Sequence, residues 1–142
     1  MTDSPTFKAV SAAMADLDFC MMQTVGTDGV NTRPMSTNGE VEYDGDSWFF
    51  SRATSTKNAE IGRDDRVQLT FADNAGPSFI SVWGRGEIVD DVETKRRLWQ
   101  DELRQWFENG PDDPEVTLIR VRAGKIQTWG RIGDAELDMD EA

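Results

Sequence analysis

The chain has 142 residues, 37% of them apolar and including five Trp and seven Phe, which suits one domain with one core. It contains no His, so Ser-His-Asp triads, Cys-His pairs and imidazole metal sites are excluded. A formal charge of −12 disfavours nucleic acid and anionic membranes as partners, and any bound anion must be gripped by a few local cations that outweigh the overall field.

The longest apolar runs, at residues 19–22 and 48–50, fall far short of the roughly 20 residues a membrane span needs. The first residues lack the charged-then-apolar order of an export signal, so the expected location is cytoplasmic. Phe7, Val10, Met14 and Leu17 recur at helical spacing and predict a short amphipathic helix, with Ser4 as cap and Pro5 as first helical position. Residues 19–25 read as a strand in which the lone Cys20 is a small buried hydrophobe, not a nucleophile. Thr27-Asp28-Gly29 is a turn, and residues 30–36 return as the second strand.

Residues 41–43 and 47–51, joined at Asp44-Gly45, carry a hairpin signal, with the third strand ending near Arg52. Ser55 then caps a short helix running to about Ile61, and Asp64-Asp65 begins a turn. Val67, Leu69 and Phe71 alternate with Gln68 and Thr70, which predicts a half-buried strand over residues 66–72, followed by a loop at 73–77. Residues 79–89 form a longer strand that Gly84 and Gly86 should bend.

Leu98, Trp99, Leu103, Trp106 and Phe107 fall on one stripe and predict a single long helix over residues 91–109, with Lys95, Arg96, Asp101 and Arg104 facing water. The stripe reads as core, with a share in a dimer contact. Gly110 to Pro114 stops that helix, and residues 116–122 and 125–129 form a last hairpin around Ala123-Gly124. Residues 1–130 are thus expected to form the domain and 131–142 an acidic, mobile tail. Six or seven short strands joined by tight turns favour a closed or partly closed antiparallel barrel over a parallel sheet.

The stretch from Trp48 to Lys57 runs from strand to helix start with Ser51, Ser55 and Thr56 as hydroxyl donors and Arg52 and Lys57 as cations. Such a junction suits phosphate, because first-turn amides point outward with partial positive charge. Arg33 on a neighbouring strand would complete a clamp with its two-pronged guanidinium. On spacing alone, Ser55 reads equally as a plain cap, Lys57 as a solvated side chain, and Arg33 as the partner of a surface carboxylate. Gly84-x-Gly86 lacks the third glycine of a dinucleotide fingerprint and reads as a bulge. The Asp90-Asp91, Asp112-Asp113 and Asp138-x-Asp140-Glu141 clusters lack a calcium-loop pattern and read as caps and solvated tail, so no metal site is expected.

Arg33-Pro34-Met35, Asp44-Gly45-x-x-Trp48-Phe49-Phe50-Ser51, Thr54-Ser55-x-Lys57, Arg66-Val67-x-Leu69-x-Phe71 and Val82-x-Gly84-x-Gly86 succeed one another in an order that resembles the flavin split barrels of the pyridoxamine 5'-phosphate oxidase superfamily. The likeness is strongest to the general stress protein branch, whose pattern Leu98-Trp99 and Gly110-x-Asp112-x-Pro114 also resemble, and it runs from Phe7 to Trp129. The resemblance implies a mainly β, six- to seven-stranded antiparallel split barrel. It also implies a homodimer that holds FMN at the subunit interface. By the same resemblance Arg33, Ser51, Thr56 and Lys57 would hold the FMN phosphate and Ser55 would support that loop. Pro34, Met35, Ser36 and Phe50 would lie along the isoalloxazine ring, and Trp129 would cover the flavin from the partner chain or else serve as a core residue at the barrel end.

The chain departs from the oxidase that makes pyridoxal phosphate in two places. That enzyme carries a basic, His-containing motif near its C-terminus where this chain reads Trp129-Gly130-Arg131-Ile132, and a Lys for substrate phosphate where this chain has Asn38. Pyridoxamine phosphate is therefore not the expected substrate. An FMN-dependent oxidoreductase is the leading expectation, with no catalytic acid or base named. The alternatives are a flavin-binding stress protein without turnover, and a deazaflavin in place of FMN.

Overall fold

The computed structural model describes residues 6–37 and 43–139. Ser4, Pro5, Asn38, most of the expected strand at 41–43, and Asp140-Glu141 lie outside the described residues. Helix α1 (Phe7–Ala15) starts at Thr6, whose side chain accepts a hydrogen bond from the Ala9 amide, and it buries Val10 and Met14. Strands β1 (Phe19–Gly26) and β2 (Gly29–Ser36) form a hairpin whose turn places Gly29 at φ 134°, a region closed to most side chains. Strand β3 (Asp46–Arg52) follows the Asp44-Gly45 turn, where Gly45 has φ 110° and the Asp44 carboxylate accepts from the Asp46 amide at 3.0 Å.

Helix α2 (Thr56–Arg63) begins at the expected cap, Ser55. Strands β4 (Arg66–Asp73) and β5 (Ser78–Val89) pair antiparallel in a continuous register from Arg66↔Arg85 to Asp73↔Ser78. The alternation of β4 buries Val67, Leu69 and Phe71 on one face. Helix α3 (Val92–Leu98), strand β6 (Val116–Gly130) and strand β7 (Ala135–Asp138) complete the chain.

Among the described residues seven strands make one antiparallel sheet in the order β2-β1-β4-β5-β6-β3, with β7 on the side of β6. The path stays open between β2 and β3, as in a split barrel. Among the described residues no helix is long and apolar enough to cross a membrane. The main core fills the inner face with Met22, Phe49, Leu69, Ile80, Val82, Ile119 and Ile126. Cys20 lies within it, 3% exposed, and burial pushes its thiol up to about 12, so it is the small hydrophobe its neighbours predicted.

Four expectations need correction. The single long helix over residues 91–109 is absent: α3 ends at Trp99, whose φ −67° and ψ 139° are extended, and a five-residue 3₁₀ turn (Asp101–Gln105) follows. A straight helix of that length would run roughly 28 Å and carry Phe107 away from Phe50. The break instead lets Trp99 meet the Phe50 ring edge-on at 5.4 Å and Phe107 approach it at 6.4 Å, around a second core of Phe50, Leu98, Val116 and Leu118. Lys95 does not face water. Its side chain is 1% exposed, and its ammonium donates to Asp90 Oδ1 at 3.0 Å and to the Val116 carbonyl at 2.8 Å.

The last hairpin is instead one continuous 15-residue strand, β6. Gly84 pairs with Ala123 and Trp83 with Lys125, which leaves Gly124 unmatched as a bulge. Gly124 is not among the positive-φ glycines, so it cannot make the tight reversal a hairpin needs. The bend expected at Gly84 and Gly86 is this bulge, and it lets one strand serve β3 along its first half and β7 along its second. Finally, the segment expected to be a mobile tail supplies β7, paired with β6 from Lys125↔Asp138 to Thr128↔Ala135.

Candidate functional site

Strand β3 runs along the sheet edge and hands the chain to α2 through three residues, so Phe50, Ser51, Ser55 and Lys57 gather at one corner. Strand β2, the opposite edge of the sheet, brings Pro34, Met35 and Ser36 to the same place. Together with Phe19, Trp48, Leu103, Trp106 and Phe107 they line a cleft of about 980 Å³. Seven of the ten expected cofactor residues therefore meet in one cavity: Pro34, Met35, Ser36, Phe50, Ser51, Ser55 and Lys57.

The other three lie outside its lining. Thr56 is the first residue of α2, flanked by Ser55 and Lys57. Arg33 points to the inner side of β2, where its guanidinium donates to the Met22 carbonyl at 3.3 Å, to the Thr24 hydroxyl at 2.7 Å and to Glu60 Oε1 at 3.2 Å. It is close enough to Lys57 for its positive charge, after burial, to hold that ammonium below its ordinary value. Trp129 stands at the end of β6 opposite Phe79, 38% exposed, away from this chain's own cleft.

Lys57 forms no ion pair with a carboxylate among the described residues. The hydroxyls beside it are committed to the protein. Ser51 and Ser55 donate to Asn58 Oδ1 at 2.7 and 3.0 Å, and Asn58 Nδ2 donates to Thr117 Oγ1 at 2.9 Å. Thr117 in turn donates to the Ser51 carbonyl at 3.0 Å, so the first turn of α2 is bolted to β3 and β6. The amides of Thr56 and Lys57, at the first two positions of that turn, have no partner within the helix by its geometry. The Lys57 side chain lines the cleft at the same helix end as these amides, a combination that suits an anion.

Sequence reasoning missed Asn58 and Glu60. Both sit in a polar, short helix where the pattern gives no hint of burial, yet they are 7% and 2% exposed. Asp91 caps α3 through Thr94, as expected, whereas Asp112 is no cap but pairs with Arg96.

The backbone of β2 adds donors and acceptors, since an edge strand leaves alternate N–H and C=O groups without a sheet partner. Residues 6–137, nearly the whole chain, match the model of the family described as Pyridoxamine 5'-phosphate oxidase like. The chain belongs to that family. This pyridoxamine 5'-phosphate oxidase-like chain is 25% identical over 89 residues to General stress protein 26 of Bacillus subtilis, a stretch covering 60% of this chain and 63% of that one. It spans between 41% and 63% of the length of the curated relatives it matches. Its fold superposes on a putative general stress family protein from Xanthomonas campestris at TM-score 0.74 and 28% identity, covering 96% and 94% of the two chains. It also superposes on a pyridoxamine 5'-phosphate oxidase-related, FMN binding protein from Nostoc punctiforme at TM-score 0.69 and 14% identity, over 96% and 90%.

Proposed function

We propose that this chain is an FMN-binding oxidoreductase of the general stress protein type that works as a homodimer with flavin at the subunit interface. The observation that carries the reading is Lys57, an ammonium on the cleft wall with no carboxylate partner among the described residues, at the first turn of a helix. In a chain of net charge −12 such a group marks where a dianion is favoured. The FMN binding of the Nostoc relative, and the general stress names of others, support the same reading.

The cleft suits the rest of the molecule. Its volume of about 980 Å³ lies at the upper end of the range for small-molecule sites, roughly 300–1,000 Å³. Lys57, the α2 amides and Arg33 would hold the phosphate. The outward backbone of Pro34, Met35 and Ser36 would hydrogen-bond and orient the isoalloxazine, while Phe50, Trp48 and Phe107 exclude water beside it. FMN bound there would supply hydride or electron transfer, leaving the chain to position the ring and substrate.

The dimer rests on the outer face of the sheet. Phe19, Met21, Phe79 and Trp129 are 60%, 40%, 40% and 38% exposed, an apolar patch of the kind that marks an interface. Phe19 pairs with Ser36 and Met21 with Pro34, so the patch is continuous with the cleft wall. A second copy laid on it would close the cleft and bring its own Trp129 to the flavin.

The test is the visible absorption spectrum of the purified protein, followed by chromatography of the molecule it releases. A flavin spectrum with FMN released supports the reading, and saturable NAD(P)H consumption by that holoprotein establishes turnover. FMN bound without consumption would make the protein a flavin store, and a deazaflavin or no chromophore would overturn the cofactor assignment.

A further inference from the structure

We propose that Glu60 is the positioning residue of the phosphate corner, fixing the Arg33 guanidinium beside Lys57 before any anion arrives. The assignment rests on the FMN reading above and adds to it a residue that no sequence pattern marks.

Glu60 lies on a polar helix, yet its side chain is 3% exposed. Both carboxylate oxygens are filled. Oε1 accepts from the Thr24 hydroxyl at 2.8 Å and from Arg33 Nη2 at 3.2 Å, and Oε2 accepts from the Asn31 amide at 2.5 Å. The Thr24 hydroxyl is itself the acceptor for Arg33 Nη1 at 2.7 Å, so Arg33, Thr24 and Glu60 form a closed ring of hydrogen bonds. Gly26 borders this ring: a Cβ there would lie 2.5 Å from Glu60 Oε2 and 2.6 Å from Asn31 Nδ2.

The arrangement answers a physical problem. Two neighbouring cations repel, and the lowering of Lys57 by burial and by the Arg33 charge is the sign of it. Without a fixed counter-charge Arg33 would swing into water, and binding phosphate would have to recover that lost order. The hydrogen bonds from Thr24, foremost, and from Asn31 and Arg33 keep Glu60 ionised against its burial. A permanent carboxylate holds the guanidinium on its inner side, while the Arg33 side chain as a whole stays 22% exposed.

The experiment compares FMN with riboflavin, which lacks the phosphate, by flavin fluorescence quenching on the full chain. The proteins are wild type, Glu60→Gln, Gly26→Ala, Arg33→Ala and the Arg33→Ala/Glu60→Gln double variant. Glu60→Gln is expected to lower the FMN-over-riboflavin affinity ratio about tenfold, equivalent to one charge-assisted hydrogen bond. Riboflavin affinity should hold within about twofold, and Glu60→Gln should add nothing once Arg33 is gone. Gly26→Ala, which crowds the ring without altering any charge, should lower the same ratio even where Glu60→Gln folds poorly. Equal losses of FMN and riboflavin would reduce Glu60 to a structural residue, and a ratio that rises would make its charge an obstacle to phosphate. Either result overturns the assignment. A wild type that binds FMN no better than riboflavin would instead overturn the phosphate reading on which it rests.

Discussion

The Arg33 guanidinium reaches Glu60 Oε1 at 3.2 Å, an ion pair in which the carboxylate is 3% exposed and the arginine 22%. A pair so placed does not resemble the exposed contacts that contribute little to stability, because its carboxylate is held by Thr24 and Asn31 as well. It anchors Arg33 on its inner side, while Lys57 beside it pairs with no carboxylate among the described residues.

Replacing both cations should remove most flavin and leave the fold. Each charge-assisted phosphate contact contributes about 1.5–3 kcal/mol, so Arg33→Ala with Lys57→Ala should weaken FMN binding by at least about 100-fold. Fluorescence titration measures the loss and circular dichroism checks the fold. Unchanged FMN affinity would refute the clamp.

Alkaline pH should loosen FMN before it would deprotonate an ordinary lysine. Burial, and after it the Arg33 charge, lowers Lys57 below its ordinary 10.5. The charged form attracts phosphate, so its contribution is full at neutral pH and is lost as pH rises through the lowered value. The FMN-over-riboflavin ratio should therefore begin to fall below pH 10.5, and Lys57→Arg should remove that fall. A ratio that stays flat to pH 10.5 in wild type would contradict this.

Asn58→Ala should destabilise the corner from beneath. Ser51, Ser55 and Thr117 all bond to this side chain, and removing it leaves the buried Ser51 and Thr117 hydroxyls each short of one partner. The expected cost is about 1–3 kcal/mol, read from a denaturant unfolding curve. An unfolding midpoint equal to wild type would mean that the network relaxes onto other partners.

If the chain pairs as proposed, charges on the outer sheet face should separate the two copies. Met21→Asp with Phe79→Asp puts two carboxylates into the apolar patch, and sedimentation should report monomers that bind FMN more weakly. A wild-type chain that sediments as a flavin-loaded monomer would contradict the interface.

Much of the frame was legible because short-range signals agreed with the final packing. The alternation of Val67, Leu69 and Phe71, the Ser55 cap and the Asp44-Gly45 turn are all local devices, and each appears where its residues predicted. The failures came where distant contacts decided. The stripe from Leu98 to Phe107 has helical spacing, but its partner is the Phe50 ring, and reaching that ring required a break at Trp99. Ala123-Gly124 looks like a turn, yet β5 runs unbroken past both halves of β6 and draws them into one strand.

The site divides in the same way. Residues on the cleft wall from Pro34 to Ser36 and from Phe50 to Lys57 were named by a strand-to-helix pattern and a family likeness. Glu60 and Asn58 were invisible because their burial depends on Arg33, Thr24 and Thr117, which come from three different strands.

The most direct measurement is a crystal structure of the protein grown with excess FMN. The account predicts a phosphate within hydrogen-bond distance of Lys57 Nζ and the Arg33 guanidinium at the first turn of α2, with the flavin ring along Pro34 to Ser36. FMN seated elsewhere, or that corner empty with Arg33 bonded to Glu60 alone, would contradict it.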